Sequence, residues 1–298
     1  MSTPTIPEHF PDTWDDSWVS ALQTAEARMV PGATPDTATG DRKWYNIGGT
    51  VTYKRKTARY PETTYVDYST SKSWLTPEEW DAPILQDEWD NEFLASIVLP
   101  TSRIMQDQAA AYNRLRDEYV RDAIQGTRTT GESGGTTETF PAANVIAADA
   151  ETSATDENLT WWKVTEATSL QDQLRVPLDG RYFAISADQK KALMSIAQAT
   201  DRDYANTMLV RNGQIHGTFW AGYTWIQYED LTYDPSDLND RQCLAFCKKD
   251  IILAESAMKT HMDVLPQMSH ALQIRPSVKL GSCRINNSSI IVKCSEGL

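Results

Sequence analysis

The stretch that decides the fold is residues 101–126, TSRIMQDQAAAYNRLRDEYVRDAIQG, which follows Pro100. Residues at steps of three and four mark one face of a helix: Ile104, Gln108, Ala111, Leu115, Tyr119 and Ala123. Charged residues fill the other faces: Arg103, Asp107, Arg114, Arg116, Asp117 and Arg121. Gly126 ends the pattern, because glycine is favoured just past a helix C-terminus. The sequence therefore predicts a long helix over 101–125.

Downstream of this helix the sequence predicts a loop and then a mixed α/β region. Residues 127–142, TRTTGESGGTTETFPA, are typical of a flexible Gly/Thr loop, which leads to a short strand near 144–147. Ser186 and Gln189 form a capping box that opens a helix through about Ala197. The other expected elements are helices over 160–170 and 201–210, strands over 181–185, 213–229 and 242–247, and closing strands over 271–280 and 289–294. We expect Gly281 and Asn286–Asn287 to form the turn region between the closing strands.

Upstream, the chain divides into an arm (1–45), a hairpin with period-two alternation (46–70) and an acidic connection (71–92). In the arm, Asp12 or Thr13 is expected to cap a short helix through about Met29. One stripe of that helix carries Trp14, Trp18, Leu22 and Ala25, and Pro31, Gly32 and Pro35 end it. Alternation in 50–55 and 63–68 around a turn at 58–61 predicts the hairpin, which needs a surface to lie against because an isolated hairpin is marginal in water.

The first 95 residues hold an unusual share of the large aromatic side chains. Six of the ten tryptophans lie there (Trp14, Trp18, Trp44, Trp74, Trp80 and Trp89), together with eight of the fourteen prolines. Burying one such side chain stabilises a protein by roughly 1.5–3 kcal/mol, but a segment broken so often by proline cannot build a compact core of its own. We therefore expect neighbouring subunits to bury these residues, which favours an assembly protein over an enzyme.

The charge of the chain is strongly negative overall and uneven along the sequence. A net charge of −13 argues against a surface that grips nucleic acid, although it suits a wall along which DNA must slide. Four positive charges, Lys54, Arg55, Lys56 and Arg59, are followed by nine acids and one lysine over 62–92. Two interpretations stay open: both segments are solvated faces, or the basic loop tip docks on an acidic patch of a neighbouring subunit.

Other classes of protein find little support in the sequence. No apolar run approaches the roughly 20 residues of a membrane span, and the N-terminus does not resemble a signal peptide. The four cysteines are expected to be reduced, buried thiols, since their spacing is not that of a zinc site. The glycine-rich loop lacks phosphate-binding spacing, and the histidines and serines show no catalytic pattern. We expect no catalytic residues, no cofactor and no metal.

Several short motifs in a fixed order resemble the major capsid protein of tailed bacteriophages, which has the Hong Kong 97 fold. Residues 107–127 and the loop to Phe140-Pro141 look like the spine helix of that family and the segment after it. Residues 186–193, followed by 203–204, 213–215 and 219–226, look like its axial lobe. Gly281-x-Cys283-Arg284 before 290–292 resembles the last strands of its peripheral lobe. The resemblance spans about 45–298.

The resemblance implies an α+β capsid fold and an organisation into domains. These are an N-terminal arm (1–45), an extended loop (46–90), a peripheral domain (91–157) with the spine helix, an axial domain (158–255) and peripheral closing strands (256–298). The basic residues at 54–59 would contact an adjacent subunit at the loop tip, and Trp14 and Trp18 would do so in the arm. No covalent cross-link between loops is implied, because no matching lysine, asparagine and acid set is found.

The implied function is that of a structural head-shell subunit that self-assembles around double-stranded DNA. Its partners would be further copies in hexamers and pentamers, a portal and a scaffolding protein, with assembly in the host cytoplasm, location in the virion and no membrane. Whether a cement protein also binds is left open by the sequence. The sequence leaves three alternatives open. These are an encapsulin-like cargo shell of the same fold, a soluble enzyme with a pocket in 158–255, and a tail or decoration protein.

Overall fold

The structure is a computed structural model that describes residues 26–60, 62–63, 65–86, 103–152, 155–196, 214–268 and 270–296. The helix predicted over 201–210 lies outside these residues, as does the helix predicted to end near Met29, up to residue 25. Within them the chain forms, in order, β1 (Thr34–Thr37), β2 (Lys43–Gly48), β3 (Thr70–Leu75), β4 (Glu78–Asp81), β5 (Ile84–Gln86), α1 (Arg103–Gln125), β6 (Arg128–Thr130), β7 (Thr136–Glu138), β8 (Val145–Ile146), α2 (Trp161–Gln173), β9 (Arg181–Ile185), α3 (Ala187–Met194), β10 (Phe219–Trp220), β11 (Tyr223–Gln227), β12 (Asp240–Cys247), β13 (Ile251–Glu255), β14 (Lys259–Leu265), β15 (Ala271–Arg284) and β16 (Ile290–Ser295).

The first sheet is built around β15, whose 14 residues pair with several shorter strands. Its order is β1-β13-β15-β14, and β4 and β5 also pair with β15. Helix α1 lies against this sheet, and the Ser282 hydroxyl of β15 donates to the Tyr119 carbonyl oxygen of α1 at 2.7 Å. The long helix and its sheet therefore form one layered unit.

The second sheet has the order β10-β11-β9-β12-β16-β8. Strand β9 is buried along almost its whole length because apolar residues fill both of its faces. Phe183 of β9 stacks on Trp225 of β11 with ring centroids 4.7 Å apart, and Trp225 contacts Trp220 at 5.7 Å. Residues of α1 and α2 complete this core, so it is the main hydrophobic core of the described chain.

The third sheet, β2-β3-β6-β7, carries the segment that joins β2 to β3. The expected flexible loop at 127–142 is in fact a hairpin, β6–β7, that adds to β3. Gly131 and Gly134 have φ angles of +95° and +72°, which residues other than glycine rarely adopt. The Trp74 ring packs against Gly134, and its Nε1–H donates to the Gly131 carbonyl oxygen at 2.7 Å. This tryptophan therefore rigidifies the loop.

Most elements predicted downstream of Pro100 are confirmed. The long helix runs over Arg103–Gln125, the strand Arg181–Ile185 has the expected bounds, and Thr160 caps α2. The capping box of Ser186 and Gln189 is present, although α3 ends at Met194. Strands also occupy the expected regions near 145, 223 and 242.

Four details of the sequence interpretation are wrong. The strands of the N-terminal hairpin are Lys43–Gly48 and Thr70–Leu75, not 50–55 and 63–68, because β3 also pairs with a third strand, β6, which stabilises the base of the hairpin. Gly281 lies inside β15 rather than in a turn, and β15 and β16 belong to different sheets. Residues 26–29 are not helical. Asp117, placed on the charged face of the helix, is only 3% exposed.

Candidate assembly surfaces

The segment between β2 and β3, residues 49–69, is the most exposed part of the described chain. The Gly49 N–H donates to the Ser69 carbonyl oxygen at 2.8 Å and closes the base of this loop. Beyond the base, every described residue from 50 to 69 is exposed. Tyr53, Tyr60 and Tyr65 reach 104%, 87% and 87% exposure, which is unusual for aromatic side chains. Large amphipathic rings presented in this way are typical of protein interfaces.

The four basic residues expected at the loop tip lie together on this loop. Lys54, Arg55, Lys56 and Arg59 are all exposed, and the Arg59 guanidinium lies 5.7 Å from the centre of the Tyr60 ring. Among the described residues, no acidic side chain forms an ion pair with any of the four. Trp14 and Trp18, the other expected contact residues, lie outside the described residues.

The acidic segment after the loop is partly engaged within its own chain. Glu79 of β4 forms an ion pair of 2.6 Å with Lys279, and this hydrogen bond lowers the pKa of Glu79. Glu78 accepts a hydrogen bond from the Tyr119 hydroxyl at 2.7 Å, and the same hydroxyl accepts one from Trp80 Nε1 at 2.7 Å. Burial and the bond to Glu78 raise the pKa of Tyr119 to about 12. Strand β4 is therefore held on α1.

Three of the early tryptophans make contacts within their own chain, so neighbouring subunits are not needed to bury them entirely. Trp74 packs in the third sheet of its own chain, and Trp80 makes an edge contact with Tyr119 at 6.2 Å. Trp44 contacts Trp74 at 5.4 Å but stays 51% exposed, and Trp80 stays 42% exposed. Only the outer parts of these side chains remain for a partner.

Asp117 of α1 holds residues 28–30, near the start of the described chain, on the folded body. Its carboxylate accepts the backbone N–H groups of Arg28 at 2.7 Å, Met29 at 2.8 Å and Val30 at 3.2 Å. Burial raises the pKa of Asp117, and the three N–H donors only partly offset this effect. The Arg28 guanidinium donates to the Gln227 carbonyl oxygen at 2.9 Å. Residues 28–30 are thus clamped between α1 and the second sheet.

A second polar cluster holds the end of β16. Arg241 of β12 forms a 2.8 Å ion pair with Glu296, and the Tyr233 hydroxyl donates to the same carboxylate at 3.0 Å. Burial by itself raises the pKa of Glu296, but the hydrogen bond and charge of Arg241 outweigh it and leave the pKa below its ordinary value. The Arg241 guanidinium also lies 4.2 Å from the centre of the Tyr233 ring.

Residues 158–255 are the region in which a soluble enzyme would have its pocket. Among the described residues, no group of catalytic side chains comes together in this region. Its open cleft is lined by Trp161, Thr168, Asp172 and Ala221. All four cysteines are buried free thiols, as expected. Of the described helices, none combines the length and apolar character needed to cross a membrane.

Comparison with known proteins supplies the family. The sequence profile of the family described as phage capsid protein matches residues 6–296. The chain belongs to the phage capsid protein family. This capsid protein is therefore a structural subunit of a phage head shell, located in the virion capsid, and the resemblance noted in the sequence is confirmed. The match favours a phage shell over the encapsulin-like, enzyme and tail-protein alternatives.

Solved structures show that the capsid protein has the Hong Kong 97-type fold. The capsid of Ralstonia phage GP4 superposes with a TM-score of 0.73 at 12% identity, covering 100% of this chain and 99% of that one. The capsid of Cyanophage P-SCSP1u gives a TM-score of 0.71 at 13% identity, covering 97% and 94%. The Mycobacterium phage Che8 structure gives 0.64 at 16% identity, covering 96% and 98%. No curated protein matches the capsid protein.

Proposed function

We propose that the loop at 49–69 is an assembly element that lies on an adjacent copy of the capsid protein. The observation that carries this proposal is the exposure of the loop, which presents four tyrosines and four cations. The described chain buries none of these tyrosines and supplies no ion pair to the cations. In this proposal Lys54, Arg55, Lys56 and Arg59 contact acidic groups of the neighbour and set the register of the two subunits, since charge complementarity fixes orientation.

The arm makes the second proposed contact. Trp14 and Trp18 insert into a neighbouring subunit, and the clamp at Asp117 sets the point from which the arm leaves the body. Each such contact is weak alone, but closed symmetry repeats it in every copy, and the shell gains stability by multivalency. The subunits form the hexamers and pentamers of an icosahedral shell.

The domain organisation is part of the same proposal. Residues 1–45 form the arm, 46–90 the extended loop, 91–157 the peripheral domain with α1, 158–255 the axial domain and 256–298 the closing strands. The pairing of β16 with β12 supports one change, because it joins residues 290–295 to the axial sheet. The pairing of β1 with β13 likewise supports counting residues 34–37 with the folded body.

The proposed partners follow from the role of a shell. They are a portal, a scaffolding protein during assembly in the host cytoplasm, a cement protein and packaged double-stranded DNA that is enclosed without sequence readout. The net charge of −13 supports enclosure rather than tight binding, because phosphate contacts depend on clustered Lys and Arg. The role is structural, without catalysis or a membrane.

Charge reversal tests the loop. The triple substitution Lys54→Glu, Arg55→Glu and Lys56→Glu is expected to prevent shell formation, seen by negative-stain microscopy and sedimentation, while circular dichroism shows a folded subunit. The matched control, Lys54→Arg, Arg55→Lys and Lys56→Arg, keeps the charge and is expected to assemble. Normal shells from the reversed variant would contradict the docking role.

A further inference from the structure

Three aspartates from two distant parts of the chain meet at one end of the second sheet. Asp240 is the first residue of β12, Asp237 belongs to the turn before that strand, and Asp156 belongs to the segment before α2. One carboxylate oxygen from each lies within 4.8 Å of the other two. Acidic clusters are common on a protein of such negative charge, so the cluster alone does not indicate a ligand.

Asp240 supplies the second observation. Its side chain is only 6% exposed, and its Oδ1 is buried without a hydrogen-bond partner among the described residues. An unpaired buried carboxylate oxygen costs free energy, and the cost is greater for a charged group than for a neutral one. Burial raises the pKa of Asp240, and the negative charges of Asp156, Asp237 and Asp234 raise it further. The nearby Lys293 donates its hydrogen bond to Asp234 instead.

The backbone holds the three carboxylates in place. The Asp240 N–H donates to the Asp237 carbonyl oxygen at 3.0 Å, and the Asn239 N–H donates to a carboxylate oxygen of Asp237 at 3.0 Å. Strand β16 and the residue after it tie both segments together. The Ser295 N–H donates to the Glu157 carbonyl oxygen at 3.0 Å, and the Glu296 N–H donates to the Asn239 carbonyl oxygen at 2.9 Å. The acids therefore cannot move apart without breaking hydrogen bonds at this end of the β12–β16 pair.

We propose that Asp156, Asp237 and Asp240 bind a hard divalent cation, Ca²⁺ or Mg²⁺. Carboxylate oxygens are the ligands that these ions prefer. Two oxygens on opposite sides of a Ca²⁺ ion lie up to about 5 Å apart, because each bond is about 2.3–2.6 Å long, and the observed spacing fits this limit. The ion satisfies the buried oxygen of Asp240 and links the segment before α2 to the turn before β12. Waters complete its coordination.

Calorimetric titration of the full-length capsid protein, first stripped with a chelator, tests this site. We expect about one Ca²⁺ per subunit with a dissociation constant of about 10⁻⁴–10⁻³ M, the weak end of the range for carboxylate Ca²⁺ sites, because the chain supplies only three carboxylates. A separate titration with Mg²⁺ identifies the preferred ion. Asp156→Asn changes an exposed residue and should weaken binding at least tenfold without affecting the fold. Asp263→Asn, an equal charge change on β14 of the first sheet, is the matched control and should bind as the unchanged protein does.

Thermal unfolding provides an independent readout. In chelator, Asp240→Asn should raise the melting temperature because it removes one of the mutually repelling charges, and added Ca²⁺ should then give no further increase. The unchanged protein should melt at a higher temperature with Ca²⁺ or Mg²⁺ than in chelator. If neither ion binds to the unchanged protein, or if Asp156→Asn binds as tightly as the Asp263→Asn control, the proposal is overturned.

Discussion

Replacement of Asp117 by alanine tests the clamp that joins the arm to the body. The substitution leaves three backbone N–H groups, those of Arg28, Met29 and Val30, without their acceptor. The site is buried, since the Asp117 residue is only 3% exposed. Each buried unsatisfied donor costs about 1–3 kcal/mol, and water entering the site recovers part of this, so we expect a loss of about 3–5 kcal/mol. Total domain stability is about 5–15 kcal/mol, so the loss is large.

Two measurements separate local from global effects of this substitution. Denaturant unfolding reports the total loss, and trypsin cleavage after Arg28 reports opening of the clamp, because Met29 is fully buried in the closed state. A local loss of about 3 kcal/mol raises the open population, and with it the cleavage rate, roughly a hundredfold. Asp117→Asn keeps one acceptor oxygen and should lie between the alanine variant and the unchanged protein.

The matched control is Asp122→Ala on the same helix. Asp122 is an exposed acid in a surface pair with Arg121, so its removal should cost less than about 1 kcal/mol and leave trypsin cleavage unchanged. If Asp117→Ala unfolds at the same denaturant concentration as Asp122→Ala and is cut no faster, the clamp does not hold the arm and the reasoning is refuted.

Three further predictions concern packing, pH and the arm. Gly281→Ala should destabilise the subunit by about 1–3 kcal/mol in denaturant unfolding, because the added methyl group meets Leu75 at 2.9 Å and the Pro77 backbone at 3.0 Å. Glu296→Gln should lower the melting temperature at pH 7, because folding lowers the pKa of Glu296 and its charged form therefore stabilises the folded state. The difference in melting temperature between the variant and the unchanged protein should be full above pH 4.5, the ordinary pKa, and should fade as the pH falls below it. Deletion of residues 1–25 should preserve the melting temperature, whereas deletion of 1–40 removes β1 and should lower it.

Each of these predictions has its own control or contrary outcome. Gly135→Ala introduces no contact shorter than 3.8 Å and should be close to neutral; equal losses at Gly281 and Gly135 would argue against close packing. Glu118→Gln, in an exposed pair with Arg121, should cost less than about 1 kcal/mol at pH 7. Equal melting temperatures for the two deletions would show that residues 26–40 add nothing to the folded body.

Local patterns were enough to predict many elements of the capsid protein. The strand Arg181–Ile185 and the capping box at Ser186 depend on residues close in sequence, and both were predicted correctly. The exposed loop at 49–69 lies within the hairpin predicted over 46–70, but the strands of that hairpin were misplaced. Pairing there depends on a third strand, β6, more than fifty residues away, which a period-two pattern does not reveal.

The candidate functional residues also divide into those that local sequence reveals and those that only distant contacts bring together. The basic cluster at 54–59 is contiguous in sequence, so composition reveals it directly. Asp117 looked like a solvated helix residue, since its partners at 28–30 lie almost ninety positions earlier. The proposed cation site was not expected either, because Asp156 and Asp240 are far apart in sequence. Hydrogen bonds from the C-terminal end of β16 hold the two segments together.

By itself, then, the sequence determined the long helix, the strand Arg181–Ile185 and the charged segment at 54–59 of this capsid protein, because periodicity, capping and composition act over a few residues. Only the tertiary structure decided that Gly281 lies within a strand, that β16 joins the second sheet and that Asp117 is buried. Those outcomes depend on which distant segments meet. The free energy of such contacts comes from burial and from satisfying backbone donors, which no local pattern encodes.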